Sequence, residues 1–427
     1  MSTMIKALWA ARAWLDTGFA EGVLLTIDEQ GQWQEIATNV PASAVPVGTE
    51  WCHGTVLPGL INAHSHAFQR SFVGQSECLV AGRDDFWSWR ERMYQVALGI
   101  SPAMLKDLAI KLYRELLLGG YTQVCEFHYL HHDVDGSAYE DELLMAWTLA
   151  EAAQEVGIGI TLLPVLYERA GFAQTSLRPE QRRFRSDVAW VRAAARRLAQ
   201  ARLPGVNVGI AIHSLRAALP ESISALVHDF DGPIHIHVAE QMAEVDECLR
   251  VTGLRPVDYL FSLQALDARW HLVHATHSNT DEIEQVARAG ATAVLCPSTE
   301  ANLGDGLCDL PQWLAAGARL AIGSDSHVTR DVFEELRLLE YGQRLWYRQR
   351  NIAAEPSLFA GSSAARLFAR VGHYESGSAA GFARWGLQVG ARADALLWSE
   401  SISLDELVFS SPRPALARVM VAGKMRV

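Results

Sequence analysis

Eight short apolar runs recur through the middle of the chain, at 56–64, 122–130, 158–167, 207–214, 233–239, 269–275, 292–297 and 319–325. Between them lie stretches whose apolar residues return every three or four positions, as in PAMLKDLAIKLYRELLLGG and EIEQVARAGA. Unbroken runs of strand length alternating with helical periodicity predict parallel βα units buried on both faces. Eight such units predict a closed (β/α)8 barrel, an α/β fold. The ends read differently. GVLLTIDEQGQWQEI has the pattern of a hairpin turning at Glu29-Gln30-Gly31, and LARVMVAGKMRV that of another turning near Ala422-Gly423, with ADALLWS a further strand. Strands at both termini predict one small β domain from residues 1–57 and 379–427, with the barrel occupying 58–378.

Composition narrows the functional classes. At 427 residues and 49% hydrophobic content the chain can bury a large core. Its net charge of −12 and lack of long basic runs argue against nucleic-acid or anionic-membrane binding by bulk charge. No uncharged apolar run approaches the ~18 residues of a membrane span. Arg12 and Asp16 interrupt the N-terminal segment where a signal peptide needs apolar residues, so a cytoplasmic location is expected. The six cysteines are scattered and form no CxxC, which gives neither a disulfide framework nor a cysteine zinc site.

Most of the fifteen histidines gather at the ends of the apolar runs. Run one ends NAHSHAF (His64, His66), run two CEFHYLHH (His128, Tyr129), and run four AIHSLR (His213, Arg216). Run five ends HIHVAEQ (His237, Glu240), run six LVHATH (His274), run seven CPSTEANLGDG, and run eight AIGSDSH (Asp325). In a barrel these ends surround one mouth, where active sites sit. A lone histidine at a strand end is commonly structural. Residues i and i+2 of a strand face the same way, however, so both imidazoles of an HxH pair can reach one ion. With histidines from runs five and six and an aspartate from run eight, the set reads as a metal site.

LPGLINAHSH, GSDSH and ARADALLW resemble the first-strand, eighth-strand and C-terminal motifs of the amidohydrolase superfamily, over nearly the whole chain. The resemblance implies a (β/α)8 barrel with a small β-sandwich from both termini. Many members hold two metals bridged by a carboxylated lysine on strand four. Here NVGIAIHSLR has no lysine, and the chain's four lysines (Lys6, Lys106, Lys111, Lys424) lie elsewhere. One metal per chain is therefore expected, Zn2+ before Fe2+ given imidazole and carboxylate ligands. The implied ligands are His64, His66, His237 and Asp325. Zinc brings the pKa of bound water to ~7. Asp325 would accept the water's proton, His274 would hold the water or the developing oxyanion, and Glu240 of HxxE would shuttle the proton to the leaving nitrogen.

HSHAFQR, DDFWSWRERMY, EFHYLHHD, LLPVLYERAGF, HSLRA, HVAEQMAEVDECL, VHATH, STEANLGDG and GSDSHV further resemble the formimidoylglutamate deiminase branch, enzymes of histidine degradation. That implies a small-molecule substrate, a formimidoyl amino acid with two carboxylates, and a homodimer. Guanidinium groups bind carboxylates bidentately. Arg216 and Arg90, with Tyr129 and His213, are thus the expected carboxylate contacts, Arg92 being a second candidate beside Arg90, and Gln69 the contact to the formimidoyl nitrogen. Phe86, Trp87 and Trp89 read as loop packing. The competing reading is another mononuclear-metal deaminase of the superfamily, acting on a heterocyclic base; a metal-free scaffold would require broken ligands.

Overall fold

A computed structural model of the chain describes residues 4–79, 82, 84–372 and 374–426. Eight parallel strands, Leu60–Ser65, Tyr121–His128, Gly159–Leu166, Ile210–Ser214, Ile234–Val238, Trp270–His274, Thr292–Leu295 and Arg319–Ile322, follow one another around a sheet. The last meets the first through a Ser65–Asp325 bridge and through the backbone N–H groups of Ser324 and Asp325, which donate to the His64 carbonyl at 3.1 and 2.9 Å. The barrel is closed. Nearly every residue of these strands is buried, because helices cover the outside and side chains fill the inside.

Two of the apolar runs turn out to be composite. The run at 56–64 is divided at Gly59. Residues up to Pro58 belong to the strand Glu50–Pro58 of a second sheet, and the barrel strand begins at Leu60. A Cβ on Gly59 would lie 2.3 Å from the Thr122 hydroxyl, so the chain can cross from sheet to barrel there only without a side chain. The run at 207–214 is likewise divided at Gly209. Val206–Val208 pairs only with the third barrel strand, and Ile210–Ser214 takes the fourth barrel position.

The second sheet joins both termini. Its seven strands run in the order Lys424–Met425, Arg418–Val421, Ala395–Leu397, Glu50–Pro58, Ala7–Leu15, Gly18–Ile27, Trp33–Ala37. All neighbours are antiparallel except Ala7–Leu15 with Glu50–Pro58. It encloses its own apolar cluster around Leu8, Val23, Leu25, Trp33 and Val56. The two expected hairpins form, at residues 28–32 and 422–423. At the end of the barrel opposite the mouth, the segment Tyr374–Ala380 lies across the strands. The Ala379 carbonyl accepts from His235 at 2.9 Å and the Ala380 carbonyl from Thr161 at 3.0 Å, which gives His235 a structural role.

One helix matters for function. Phe86–Ala97 sits between the first strand and its covering helix Pro102–Leu118. Asp85 starts it, accepting from the N–H groups of Trp87 and Ser88, while Ser88 Oγ accepts from the Asp85 N–H in return. Arg90 therefore stands on a capped helix over the mouth, rather than on an irregular segment. No helix among the described residues is long and apolar enough to cross a membrane.

Candidate metal centre and active site

His64 and His66 end the first strand and His237 the fifth, and their Nε2 atoms converge. His64 Nε2 lies 3.0 Å from both His66 Nε2 and His237 Nε2. Asp325 Oδ1 is 3.5 and 3.4 Å from the first two. The other ring nitrogens explain why the Nε2 atoms point inward. His66 Nδ1–H donates to the Phe127 carbonyl at 2.9 Å and His237 Nδ1–H to the His213 carbonyl at 2.8 Å. A carbonyl only accepts, so both rings carry their proton on Nδ1 and turn a bare lone pair toward their neighbours. Burial, reinforced by nearby imidazoles for His64 and His237, holds all three pKa values below the ordinary histidine range. Neutral nitrogens whose lone pairs face each other at 3.0 Å need a cation between them. Tetrahedral coordination with bonds of ~2.0–2.1 Å sets ligand atoms about 3.3 Å apart, close to the spacing found. The three histidines fit one such ion, with Asp325 beside His64 and His66.

Asp325 lies beyond its strand, which ends at Ile322, and is held in the turn that closes the barrel. Gly323 makes that approach possible: a Cβ there would stand 2.6 Å from His64 Cβ. Five non-glycine residues at this mouth have positive φ, namely Ala239, His274, Ala275, Asp325 and His327. Such backbone is costly, roughly 1–3 kcal/mol per residue, and clusters where side-chain direction matters.

Beside the cluster stands a charged group of four. His274 Nε2 is 3.6 Å from Glu240 Oε1 and 3.7 Å from Asp325 Oδ2, and its Nδ1 is 3.3 Å from Glu300. Burial opposes charge on this ring. Glu240, the hydrogen bond to Glu300 and Asp325 outweigh it and hold the pKa up at about 10. Glu240 is buried and faces His274, so it is no surface cap; burial raises its pKa to about 7 against the pull of His274 and Arg216. A charged imidazole donor and a carboxyl group titrating near neutrality suit oxyanion stabilisation and proton transfer.

The remaining expected residues line the same cavity. Gln69 Nε2 donates to the Tyr129 hydroxyl at 3.1 Å, and its Oε1 has no protein partner. His213 packs on Tyr167 at 4.4 Å. Arg216, two residues past its strand, lies 4.0 Å from Glu240. Arg90 stacks 4.5 Å over Trp87, whose ring also faces Arg216 at 5.7 Å. The Nε of each arginine is buried without a partner. Arg92, by contrast, is spent on the Ser76 carbonyl and Asp84 and lines no part of the cavity. Phe86 and Trp89 line the cavity walls as well as packing together.

Sequence reasoning assigned no role to Glu300, Asp305, Glu244, Glu126, Tyr94 or Tyr167. Glu300 and Asp305 fall in STEANLGDG, a strand end whose acidic residues were the available signal. Asp305 groups with Glu240 and His274 and accepts from the Gln241 amide, and burial pushes its pKa to about 10. Glu244 accepts from the Glu240 N–H at 3.2 Å. Glu126 braces the HxH turn from beneath, accepting from Ser65 Oγ at 2.7 Å and the Ala67 N–H at 2.6 Å.

Residues 55–426 match the amidohydrolase family. A formimidoylglutamate deiminase from Pseudomonas aeruginosa is 46% identical over 351 residues, 81% of this chain and 76% of that protein. An 8-oxoguanine deaminase from the same organism is 31% identical over 87% of this chain and 82% of its own length. Among solved structures, an amidohydrolase from Brucella melitensis superposes with a TM-score of 0.92 at 39% identity, covering 99% of this chain and 94% of that one.

Proposed function

The chain belongs to the amidohydrolase family as a hydrolase acting on C–N bonds, and we propose that it hydrolyses N-formimidoyl-L-glutamate to N-formyl-L-glutamate and ammonia, a step of histidine degradation, with one zinc ion. The observation that carries this reading is the pair Arg90 and Arg216. A buried guanidinium, Arg216, and a half-buried one, Arg90, whose Nε atoms lack protein partners, share one cavity with a three-histidine cluster and the neighbouring Asp325. A ligand with carboxylates for the arginines and a hydrolysable carbon for the cluster meets both needs. The likeness to the Pseudomonas deiminase supports the same substrate.

Zinc held by His64, His66, His237 and Asp325 would supply the Lewis acidity that makes water a nucleophile near neutral pH. The protein's own groups do the rest. Arg90 and Arg216, with His213 and Tyr129, fix the carboxylates, while the free Oε1 of Gln69 accepts from the formimidoyl nitrogen. Water adds to the formimidoyl carbon and Asp325 takes its proton. His274, charged, donates to the oxygen that gains negative charge. Glu240, ionised at the start, takes the water's other proton and delivers it to the terminal nitrogen; as the bond from carbon to that nitrogen breaks, Asp325 passes on its own proton, and ammonia leaves with the oxygen retained as the formyl carbonyl.

Release of ammonia from a panel of formimidoyl amino acids and nucleobases, with chelator and after zinc is restored, tests the reading. Chelator-sensitive turnover of formimidoylglutamate far above every nucleobase is expected. Turnover of a base alone would transfer the site to the second reading, a heterocycle deaminase. That alternative has in its favour the aromatic walls of the cavity and the 31% likeness to the 8-oxoguanine enzyme. It predicts no penalty from Arg216→Met.

A further inference from the structure

Two tyrosines in the cavity wall are set up as hydrogen-bond donors by a residue that never reaches the cavity. Gln181 is buried in the loop after the third strand, and its Oε1 accepts from the backbone N–H of Arg178 at 2.9 Å. A backbone N–H can only donate, so the amide's orientation is fixed and its NH2 faces the other way. That NH2 donates to Tyr94 Oη at 3.1 Å and Tyr167 Oη at 2.8 Å. Both phenol oxygens are thereby occupied as acceptors, and each keeps its own O–H to give. The two hydroxyls also meet each other, which consumes at most one of those hydrogens. No carbonyl or carboxylate among the described residues accepts from either. Both tyrosines line the cavity beside Arg90 and Arg216, and Arg90 lies 5.6 Å over the Tyr94 ring.

The same residues tie down the helix that carries Arg90. Arg178 grips Glu91, next to Arg90, through two bonds of 2.7 Å, while Gln181 holds Tyr94 three residues on. We propose that Tyr94 and Tyr167 complete, with Arg90 and Arg216, the site for the substrate's carboxylate end, and that Gln181 is the positioning residue that aims their hydroxyls at it. This rests on the deiminase reading above for the identity of the substrate, but the anion site can be probed without it.

The experiment uses the zinc-loaded protein and glutarate, a dicarboxylate with no hydrolysable bond. Calorimetric glutarate Kd is measured for the parent, Tyr94→Phe, Tyr167→Phe, Gln181→Met and Gln181→Glu, and KM and kcat are measured with formimidoylglutamate. Each phenylalanine keeps the ring and loses the donor, so Kd and KM should rise about tenfold while kcat falls less than twofold. Gln181→Glu is the discriminating variant. It keeps the size and the Arg178 contact but accepts where glutamine donates, turning the phenol hydrogens away from the cavity; it should weaken glutarate binding more than Gln181→Met. A role in packing alone predicts the reverse order. Unchanged glutarate affinity in both phenylalanine variants, or a loss confined to kcat, overturns the proposal. If Gln181→Met does not fold, the phenylalanine pair and Gln181→Glu carry the test. Glutarate binding with no turnover of formimidoylglutamate by the parent would sink the substrate assignment while leaving the anion site standing.

Discussion

At one end of the cavity the polar groups all stand on or just past strand ends; at the other, strand-end groups such as His213 and Arg216 face groups on a helix outside the barrel. His64, His66, His237 and His274 inherit their positions from the sheet, whose register is set by dozens of buried side chains. Arg90 and Tyr94 depend on the short capped helix Phe86–Ala97, pinned through Arg178 and Gln181. The strand ends form a rigid wall along the whole cavity, and the separately fastened helix adds a second wall only at the end where Arg216 lies. The first wall suits chemistry shared across a family and the second suits choice of substrate.

Damage at the histidine and aspartate end should therefore cost turnover, and damage at the arginine end should cost affinity. The largest effect is expected for Asp325→Asn, which weakens a ligand and removes the acceptor for the water's proton: kcat should fall more than about 10⁴-fold, with zinc content reduced in metal analysis. Next comes Glu240→Gln, with a loss of about 10² to 10⁴-fold in kcat and little change in KM. Its pH profile sharpens the point. Glu240 must be ionised to take a proton on, and burial raises its pKa to about 7. Activity should thus fall as pH drops through 7 in the parent, and the residual activity of Glu240→Gln should lack that limb. A parent profile flat from pH 6 to 8 would remove Glu240 from the mechanism.

Arg216→Met tests the other end of the cavity. Loss of a charge-assisted pair to a carboxylate should raise KM about 10 to 100-fold with kcat reduced far less. Equal losses in kcat and kcat/KM would mean that the two ends of the cavity are not separable.

The same division decided what could be read from the residues. The strand-end groups follow from spacing: HxH puts two rings on one face, and the alternation of apolar runs with helical periodicity gives the barrel that gathers the rest. Arg216 is legible for the same reason. Tyr94 and Gln181 are not, because nothing in FWSWRERMY or RPEQRRF fixes how two residues 87 positions apart come together. Arg90 and Arg92 illustrate the limit: both are helical, and only packing against Trp87 sends one inward while Asp84 takes the other. Gly59 marks another, since an unbroken apolar run hides a change of sheet that only the crowding against Thr122 reveals.

Glu126 should give the smallest effect, and the reason is chemical. Its two oxygens accept from Ser65 Oγ and the Ala67 N–H on either side of His66, with the Tyr113 hydroxyl 3.4 Å away. Burial lifts its pKa to about 7, with the Ala67 and Ser65 bonds restraining the rise. In Glu126→Gln one oxygen becomes an NH2. The N–H of Ala67 can only donate, so the amide oxygen must stay with it and the NH2 must face Ser65. A hydroxyl can accept as readily as it donates, and Ser65 Oγ can turn its hydrogen toward His327 Nε2, 3.4 Å away. Both contacts survive, and zinc affinity in a chelator competition should fall only a few-fold. Glu126→Leu offers neither oxygen, leaves the Ala67 N–H buried and unpaired, and should lose about 10 to 100-fold in affinity through His66 alone, as outer partners of metal ligands commonly do. Equal losses in the two variants would mean that the carboxylate's charge, rather than its grip on the backbone around His66, is what the metal end of the cavity requires.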